Sequence, residues 1–291
     1  MTHNFIQDVK ALVDDSIPTP ASIVGEVIRT AYDPESSAAD LAAVIERDPT
    51  LTAKILKIAN SAYYGAASNI TSLKRSVVVL GFDTIKELVT TVATVHYFFQ
   101  SESASKIDLV GLWQHSVGTA KATQLLSKRL NKERPDVMYT VGLLHDIGKI
   151  LLAISFSDNY KDVISMVKEK KFRLLHAEQI LLNTDHSMIG KVLCDLWNLP
   201  QAFSDAILFH HEPMELNKGD RMMAKLINIG DYMCRKAEIG FAGDYVIVEP
   251  SNDILEVFGS GAKKIISKQE EIFEEFLSYK DDIEGFYSGL R

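Results

Sequence analysis

The sequence predicts an all-α protein folded as a helical bundle. Apolar residues recur at the three- to four-residue spacing of amphipathic helices along nearly the whole chain, and Pro and Gly fall in the gaps between these stretches. Alternating runs rich in Val, Ile and Tyr, which would indicate strands, are scarce. With 291 residues, 46% of them apolar and 24% charged, the chain is long enough for a full core and one or two domains.

Charge and cysteine content exclude several classes of protein. The net charge of −8 argues against bulk nucleic-acid binding through a basic face. Two cysteines, Cys194 and Cys234, cannot build a disulfide framework or a thiolate zinc site, and they suit a reducing compartment. We find no apolar run near the ~20 residues that cross a bilayer and no signal peptide at the N-terminus. We therefore expect a cytoplasmic protein without a membrane partner.

Turn and capping residues divide the first hundred residues into short helices. The predicted starts are, in chain order, residues 17–20, Ser36 or Ser37, Asp48 with Pro49, Thr71 or Ser72, and the turn 81–83. Apolar stripes such as Leu51, Ile55 and Ile58 give each helix a face to bury. We expect a leader at 1–15 and an N-terminal helical lobe at 16–100.

A polar stretch at 100–106 is the best internal boundary. Beyond it, helices are expected over 109–130, 136–154, 159–170, 174–182, 187–197, 201–211 and 220–236. These helices form a second lobe, residues 107–240. The tail, residues 241–291, holds a short extended piece at 245–248 and then an amphipathic helix.

The adjacent residues His145 and Asp146 are the strongest functional signal. They lie in the apolar run Gly-Leu-Leu-His-Asp-Ile-Gly-Lys at 142–149. A buried charged carboxylate must be paired, hydrogen-bonded or bound to a cation, and one small shared partner such as a metal ion would satisfy both side chains. Lys149 lies one helical turn after His145 and is a candidate phosphate contact.

Further residues of the metal-ligand type follow the boundary, each among apolar neighbours. With the first pair they form a set of seven on five predicted helices: His115, His145, Asp146, His186, His210, His211 and Asp231. A bundle can aim such groups at one point. Imidazole and carboxylate suit iron, manganese, zinc or nickel, and so many ligands suit two ions that clamp a phosphate and activate water.

Each candidate has a plainer alternative. A single buried His is more often a core residue with a hydrogen bond, His210 and His211 could end a helix, and Asp231 could be a surface carboxylate. The coincidence of all seven favours the metal site. Glu178 is either a surface charge, which we favour, or an acceptor for a ligand imidazole. We expect no ligand role for His176 or His96.

Several motifs together identify a family. They are Leu-Leu-His-Asp-Ile-Gly-Lys (143–149), Asp-His (185–186), Leu-Trp-Asn-Leu-Pro (196–200), His-His-Glu-Pro (210–213) and, upstream, Asp-Pro-Thr-Leu-Thr (48–52), Asn-Ser-Ala-Tyr-Tyr (60–64) and Leu-Gly-Phe (80–82). In this order and spacing they resemble the HDOD domain, a bacterial signalling relative of the HD phosphohydrolase superfamily, over residues 16–215. The resemblance implies an N-terminal helical lobe packed on an HD-type metal-binding lobe.

The ligand set is similar to that of the related HD-GYP phosphodiesterases, which hold two or three metals, often iron. Carried over, one ion would be held by His115, His145, Asp146 and Asp231, and the second by Asp146, His186, His210 and His211. Relatives with a third ion use a Glu one turn before the first His, where this chain has Gly111. We therefore expect two divalent transition-metal ions, with iron favoured and manganese, zinc or nickel as alternatives.

The expected function is a dimetal phosphohydrolase or phosphodiesterase that acts on a nucleotide or another signalling phosphate. Asp146 would bridge the ions and Lys149 would contact the phosphate. No Gly-Tyr-Pro motif follows His211, which argues against cyclic-di-GMP hydrolysis. The alternative is a non-catalytic signalling module that binds a partner protein or a nucleotide, because many HDOD proteins have lost their metal ligands.

Overall fold

The structure, a computed structural model, describes residue 7 and residues 19–60, 64, 70–99, 108–217 and 219–290, with 19–23, 95–99, 262, 264 and 286–290 given by backbone alone. The expected leader apart from residue 7, most of the motif at 60–64, the side chain of His96 and the boundary at 100–106 lie outside this description. Every regular element in the described part is helical, so the predicted all-α class is confirmed.

The N-terminal lobe is formed by short helices whose starts follow the predicted caps. The described helices are α1 (Thr19–Tyr32), α2 (Ala38–Ile45), α3 (Pro49–Ala59), α4 (Leu73–Leu80) and α5 (Phe82–Phe99). Ser37 caps α2, Asp48 caps α3 with Pro49 in its first turn, and Ser72 caps α4. Their apolar faces bury Ile28, Leu51 and other aliphatic side chains against α5.

The second lobe is built around one long helix. Its helices are α6 (Leu109–Leu130), α7 (Pro135–Leu144), α8 (Ile147–Ser155), α9 (Ser157–Lys170), α10 (Leu174–Leu182), α11 (His186–Leu196), α12 (Gln201–Leu208) and α13 (Met222–Lys236), followed by α14 (Asn252–Leu255), α15 (Ala262–Leu277) and α16 (Lys280–Leu290). Helix α6 packs against α7, α13, α15 and α16. Its side chains are therefore buried on nearly every face, as its Ala, Gly, Ser and Thr content permits.

The single helix predicted over 136–154 is wrong, because the chain turns at His145 and Asp146. The His145 Nδ1–H donates to the carbonyl of Gly142 at 2.7 Å. An uninterrupted helix would offer that carbonyl to the backbone N–H of residue 146. Asp146 itself has φ −103° and ψ 12°, outside the helical region. Because the helix is broken here, the side chains of His145 and Asp146 point toward the same place.

The helix predicted over 201–211 ends early for a similar reason. Helix α12 stops at Leu208, and the His210 Nδ1–H donates to the carbonyl of Ile207 at 2.6 Å. His210 and His211 thus follow the helix instead of ending it. The other predicted helices begin or end within two residues of the observed ones. The extended piece expected at 245–248 has no strand pairing.

The two lobes meet through a cluster of polar groups, here called the interface cluster, which is buried or half-buried except for the exposed Arg134: Tyr32, Lys86, Arg134, Asp136 and Thr140. The Lys86 ammonium lies 2.7 Å from Asp136 Oδ2, and Arg134 approaches the same oxygen at 2.7 Å. The Tyr32 hydroxyl donates to the carbonyl of Asp136 at 3.0 Å and contacts the Thr140 hydroxyl. The N-terminal lobe is therefore packed on the start of α7, as expected.

The stretch Pro135–Ser155 is long and apolar enough to pass a test for a membrane span, which corrects the expectation that no apolar run approaches this length. Within the protein, 94% of an apolar 18-residue part of this stretch is buried. The hydrophobicity of this stretch is explained by its place in the core of the second lobe, where it packs against α6 and α11.

Candidate metal centre

Five parts of the second lobe bring the seven predicted ligands to one place. His115 lies on α6, His145 and Asp146 occupy the turn between α7 and α8, His186 begins α11, His210 and His211 follow α12, and Asp231 lies on α13. All are buried or half-buried. Their ligand atoms form two groups, His115 with His145 and Asp146, and His186 with His210 and His211, each within 4.8 Å.

The carboxylate of Asp146 lies between these two groups. Its Oδ2 is 3.3 Å from His145 Nε2 and 3.7 Å from His115 Nε2. Its Oδ1 is 3.4 Å from His186 Nε2 and 3.8 Å from His210 Nε2. One oxygen thus faces each group, which is the arrangement that a bridging carboxylate requires.

Hydrogen bonds on the outer nitrogen orient three of the imidazoles. The Nδ1–H groups of His145 and His210 donate to backbone carbonyls, and that of His186 donates to Glu178 Oε2 at 2.5 Å. Each bond places the ring proton on Nδ1 and leaves the Nε2 lone pair pointing inward. This tautomer is the one that binds a metal through Nε2.

Glu178 is not the surface charge that we favoured from the sequence. It is fully buried, and its second oxygen accepts a hydrogen bond from the Tyr160 hydroxyl at 2.5 Å. The backbone N–H of His186 also donates to Oε2, at 3.0 Å. The carboxylate therefore fixes both the start of α11 and the ring of His186, and the less favoured alternative is correct. His176, by contrast, is exposed.

The centre contains buried polar atoms without hydrogen-bond partners. They are both ring nitrogens of His115, the Nε2 atoms of His145 and His210, and the Oδ1 atom of Asp146. His115 Nε2 lies 2.8 Å from Asp231 Oδ1, but without the alignment of a hydrogen bond. Unpaired buried polar atoms are costly, so a cluster of inward-facing N and O atoms fits a site for a divalent cation.

Two glycines allow the close approaches in this centre. A Cβ atom on Gly148 would lie 2.0 Å from the carbonyl oxygen of His186, so only glycine lets α8 start against α11. A Cβ atom on Gly111 would lie 2.5 Å from Asp108 Oδ2 and 2.9 Å from Phe241 Cβ. In some relatives this position holds the Glu that binds a third metal ion. Here Asp108 and Phe241 occupy the space that a side chain at Gly111 would need.

Burial and neighbouring charges set the protonation of the centre. Burial lowers the pKa of His210 to about 3, with His145 adding to the effect, and it also lowers the pKa of His115 and His211. Burial opposes the charge on Asp146, but His145 and Lys149 outweigh it and hold the pKa of this carboxyl well below its usual range. The lowered pKa values of His115, His210 and His211 favour neutral imidazoles, which together with an ionised Asp146 are the states that bind metal.

Two cations stabilise the carboxylates of the centre. The ammonium of Lys149, 1% exposed, lies 2.6 Å from Asp146 Oδ2 and donates to the Ala242 carbonyl at 2.9 Å. Arg235 contacts both oxygens of Asp231, at 2.9 and 3.1 Å. The structure thus places Lys149 against the Asp146 carboxylate, and the predicted phosphate contact stays a prediction.

A cavity of about 160 Å³ lies beside the centre and is closed on one side by residues 240–251, here called the cover segment. The Phe241 N–H donates to the Gly111 carbonyl at 2.8 Å. Asp244 accepts from Arg235 at 2.9 Å and from the backbone N–H of Leu174 at 2.7 Å. Sequence reasoning missed this wall, because no residue in it has the pattern of a ligand.

Comparison with known proteins agrees with the motifs. A crystal structure of an HDOD domain protein of unknown function from Geobacter sulfurreducens has a TM-score of 0.78, 25% identity and coverage of 98% of both chains. A predicted phosphohydrolase from Shewanella amazonensis SB2B has the same fold, with a TM-score of 0.74, 20% identity and full coverage of both chains.

Sequence comparison gives the family. An uncharacterized protein from Treponema pallidum (strain Nichols) is 24% identical over 198 residues, which is 68% of this chain but only 38% of that protein. The HDOD domain profile matches residues 17–213, about two thirds of the chain. On this match the chain belongs to the HDOD domain family.

Proposed function

We propose that the protein is a metal-dependent phosphohydrolase or phosphodiesterase that acts in bacterial signalling, in the cytoplasm, on a phosphate-containing small molecule or nucleotide. One observation carries the proposal: unpartnered Nε2 atoms of three buried histidines surround a carboxylate with an unpartnered oxygen. Two divalent ions, with iron favoured, would be held by the seven predicted ligands and would supply Lewis-acid activation of water and phosphate.

The protein's own groups prepare this chemistry. Lys149 holds Asp146, Glu178 holds His186, and backbone carbonyls hold His145 and His210, so the inward atoms are positioned before any ligand arrives. The cover segment shields one side of the cavity from water. In the net reaction water adds to phosphorus, the P–O ester bond breaks, and the departing alcohol takes a proton.

Further features agree with this proposal. The Shewanella amazonensis protein shares the whole fold, and at 20% identity the likeness is one of fold only. Both cysteines are buried and unbonded, which suits a reducing compartment.

The test combines elemental analysis of the purified protein with phosphate release from a panel of nucleotides and phosphate esters. We expect about two metal ions per chain and turnover of at least one substrate, and Asp146→Ala loses both. Asp162→Ala, at an exposed position on α9, serves as the matched control and keeps both. A metal-loaded protein with no turnover on any substrate contradicts the proposal.

One observation favours a second candidate, a non-catalytic module that reports ligand binding to a signalling protein. Helix α7 joins the two sites, with Asp136 of the interface cluster in its first turn and His145 directly after its end. Occupation of the metal centre can therefore bias how the lobes meet. Partner capture with and without chelator tests this candidate, and capture that survives loss of the metal contradicts it.

A further inference from the structure

The cavity beside the metal centre is small for an enzyme of nucleotide-sized substrates. Its volume is about 160 Å³, whereas sites that enclose drug-sized ligands have roughly 300–1,000 Å³. His186, His211 and Asp231 of the centre form part of its wall. The space beside the metal ligands therefore has room for a phosphoryl group with a small substituent and is too small for a whole nucleotide.

The cations in the cavity wall differ in what they already contact. Lys149 is neutralised by Asp146 and also donates to the Ala242 carbonyl. Arg235 contacts Asp231, Asp244 and the carbonyl of Val246. Both of these charges are balanced within the protein, which leaves them little capacity to attract an anion.

Arg173 is the exception. Arg173 is half-buried and lines the cavity, and no hydrogen bond or ion pair joins its guanidinium to any other residue that the structure describes. Its backbone is fixed directly before α10, because the next backbone N–H, that of Leu174, donates to Asp244 of the cover segment. An arginine that makes no ion pair with the described residues thus lines the same small space as three of the predicted metal ligands.

We propose that this cavity binds the terminal phosphoryl group of a phosphomonoester, with Arg173 as its protein contact and the rest of the molecule outside. This inference rests on the metal-dependent function proposed above and narrows its substrate class. A guanidinium fits two phosphoryl oxygens in a forked pair. A monoester has one end without a substituent, which a small cavity can enclose, whereas a phosphodiester would need room on both sides.

The first test measures inorganic phosphate binding to the metal-loaded protein by calorimetry. Arg173→Met is expected to weaken phosphate binding about 10- to 100-fold, in line with the loss of a charged hydrogen bond, and Arg173→Lys weakens it less. Arg75→Met, which removes an exposed arginine of α4, leaves binding unchanged. Metal content and thermal unfolding, measured on each variant, are expected to equal those of the wild type.

The second test compares p-nitrophenyl phosphate with bis(p-nitrophenyl) phosphate. We expect higher kcat/KM for the monoester, and a raised KM for it in Arg173→Met. Equal phosphate binding by wild type and Arg173→Met, or a preference for the diester, overturns the inference while turnover upholds the proposed function. Phosphate binding that depends on Arg173 without turnover of any ester leaves the site in place and removes the proposed activity.

Discussion

Helix α7 has a cluster of polar side chains around a buried carboxylate at each end, and the two clusters differ in whether their atoms have partners. At its start, in the interface cluster, the Asp136 carboxylate forms ion pairs with Lys86 and Arg134. The backbone carbonyl of Asp136 accepts a hydrogen bond from the Tyr32 hydroxyl. Past its end, three imidazole nitrogens and one carboxylate oxygen face each other unpaired. Buried charge marks both places, but only the second has bonding capacity left for a ligand.

The interface cluster provides the largest expected effect on stability. Asp136→Asn is expected to lower the free energy of unfolding by about 3 kcal/mol, because it leaves the buried Lys86 ammonium without its closest buried counter-charge. Metal content stays at the wild-type value. Urea unfolding and elemental analysis measure the two quantities. Loss of metal from a folded Asp136→Asn protein would show that the two clusters are not separate sites.

Metal binding gives the next effect. At a free metal concentration of about 100 times Kd, the bound form gains about 2.7 kcal/mol for each ion, and each gain of this size raises Tm by about 5–10 °C. Chelator reverses the shift. Asp146→Asn shows no metal-dependent shift, whereas Asp136→Asn, with a lower starting Tm, shows the full shift. The comparison fails if both variants respond alike.

A substitution of Glu178 tests whether the hydrogen bond that orients His186 contributes to metal affinity. Glu178→Gln weakens the hydrogen bond to His186 and is expected to reduce metal affinity by about tenfold, since residues that orient a ligand contribute ~10–100-fold. Competition with a coloured chelator measures this affinity. Glu169→Gln, at an exposed position on α9, is the matched control. If the metal affinity of Glu178→Gln is unchanged, the Glu178 carboxylate contributes only to packing and not to metal binding.

A pH effect at the lobe contact is the smallest. Burial raises the pKa of Glu87 from 4.5 to about 7, against the opposing charge of Lys121. The folded protein therefore holds this proton more tightly than the unfolded chain, and stability falls as pH rises from about 4.5 to 7. We expect a loss of about 1 kcal/mol across this window, reduced from the full shift by partial exposure.

Substitution isolates this contribution. Glu87→Gln removes the fall in stability over that pH window, and Glu35→Gln, an exposed control, keeps it. Denaturant unfolding at pH 5 and pH 8 gives the difference. An unchanged pH dependence in Glu87→Gln would assign the effect to other groups.

The spacing of apolar and ligand-type residues in the sequence was enough to predict the all-α class, most helix positions and the set of seven candidate ligands. It could not show that the chain turns at Asp146, because the stretch 135–155 is apolar throughout and the turn depends on where the His145 ring donates its proton. Periodicity describes which face a helix buries, and it does not describe a side chain competing for a backbone carbonyl.

The roles of Glu178 and Arg173 could not be predicted from the sequence either. Glu178 has the local pattern of a surface residue, and it is buried because Tyr160 of α9 and the start of α11 lie against it. Arg173 has no motif around it, and its importance comes from a wall supplied about 70 residues later in the chain. Both depend on contacts between distant segments, which one sequence does not reveal.

The cover segment has a practical consequence for the boundaries of this domain. The family match ends at residue 213, yet Asp231, Arg235 and Asp244 come after it. A fragment trimmed to the matched region would keep the first six candidate ligands but lack the seventh, together with the acceptor carbonyl for Lys149. Surveys that judge such proteins only by the matched stretch would therefore undercount complete centres.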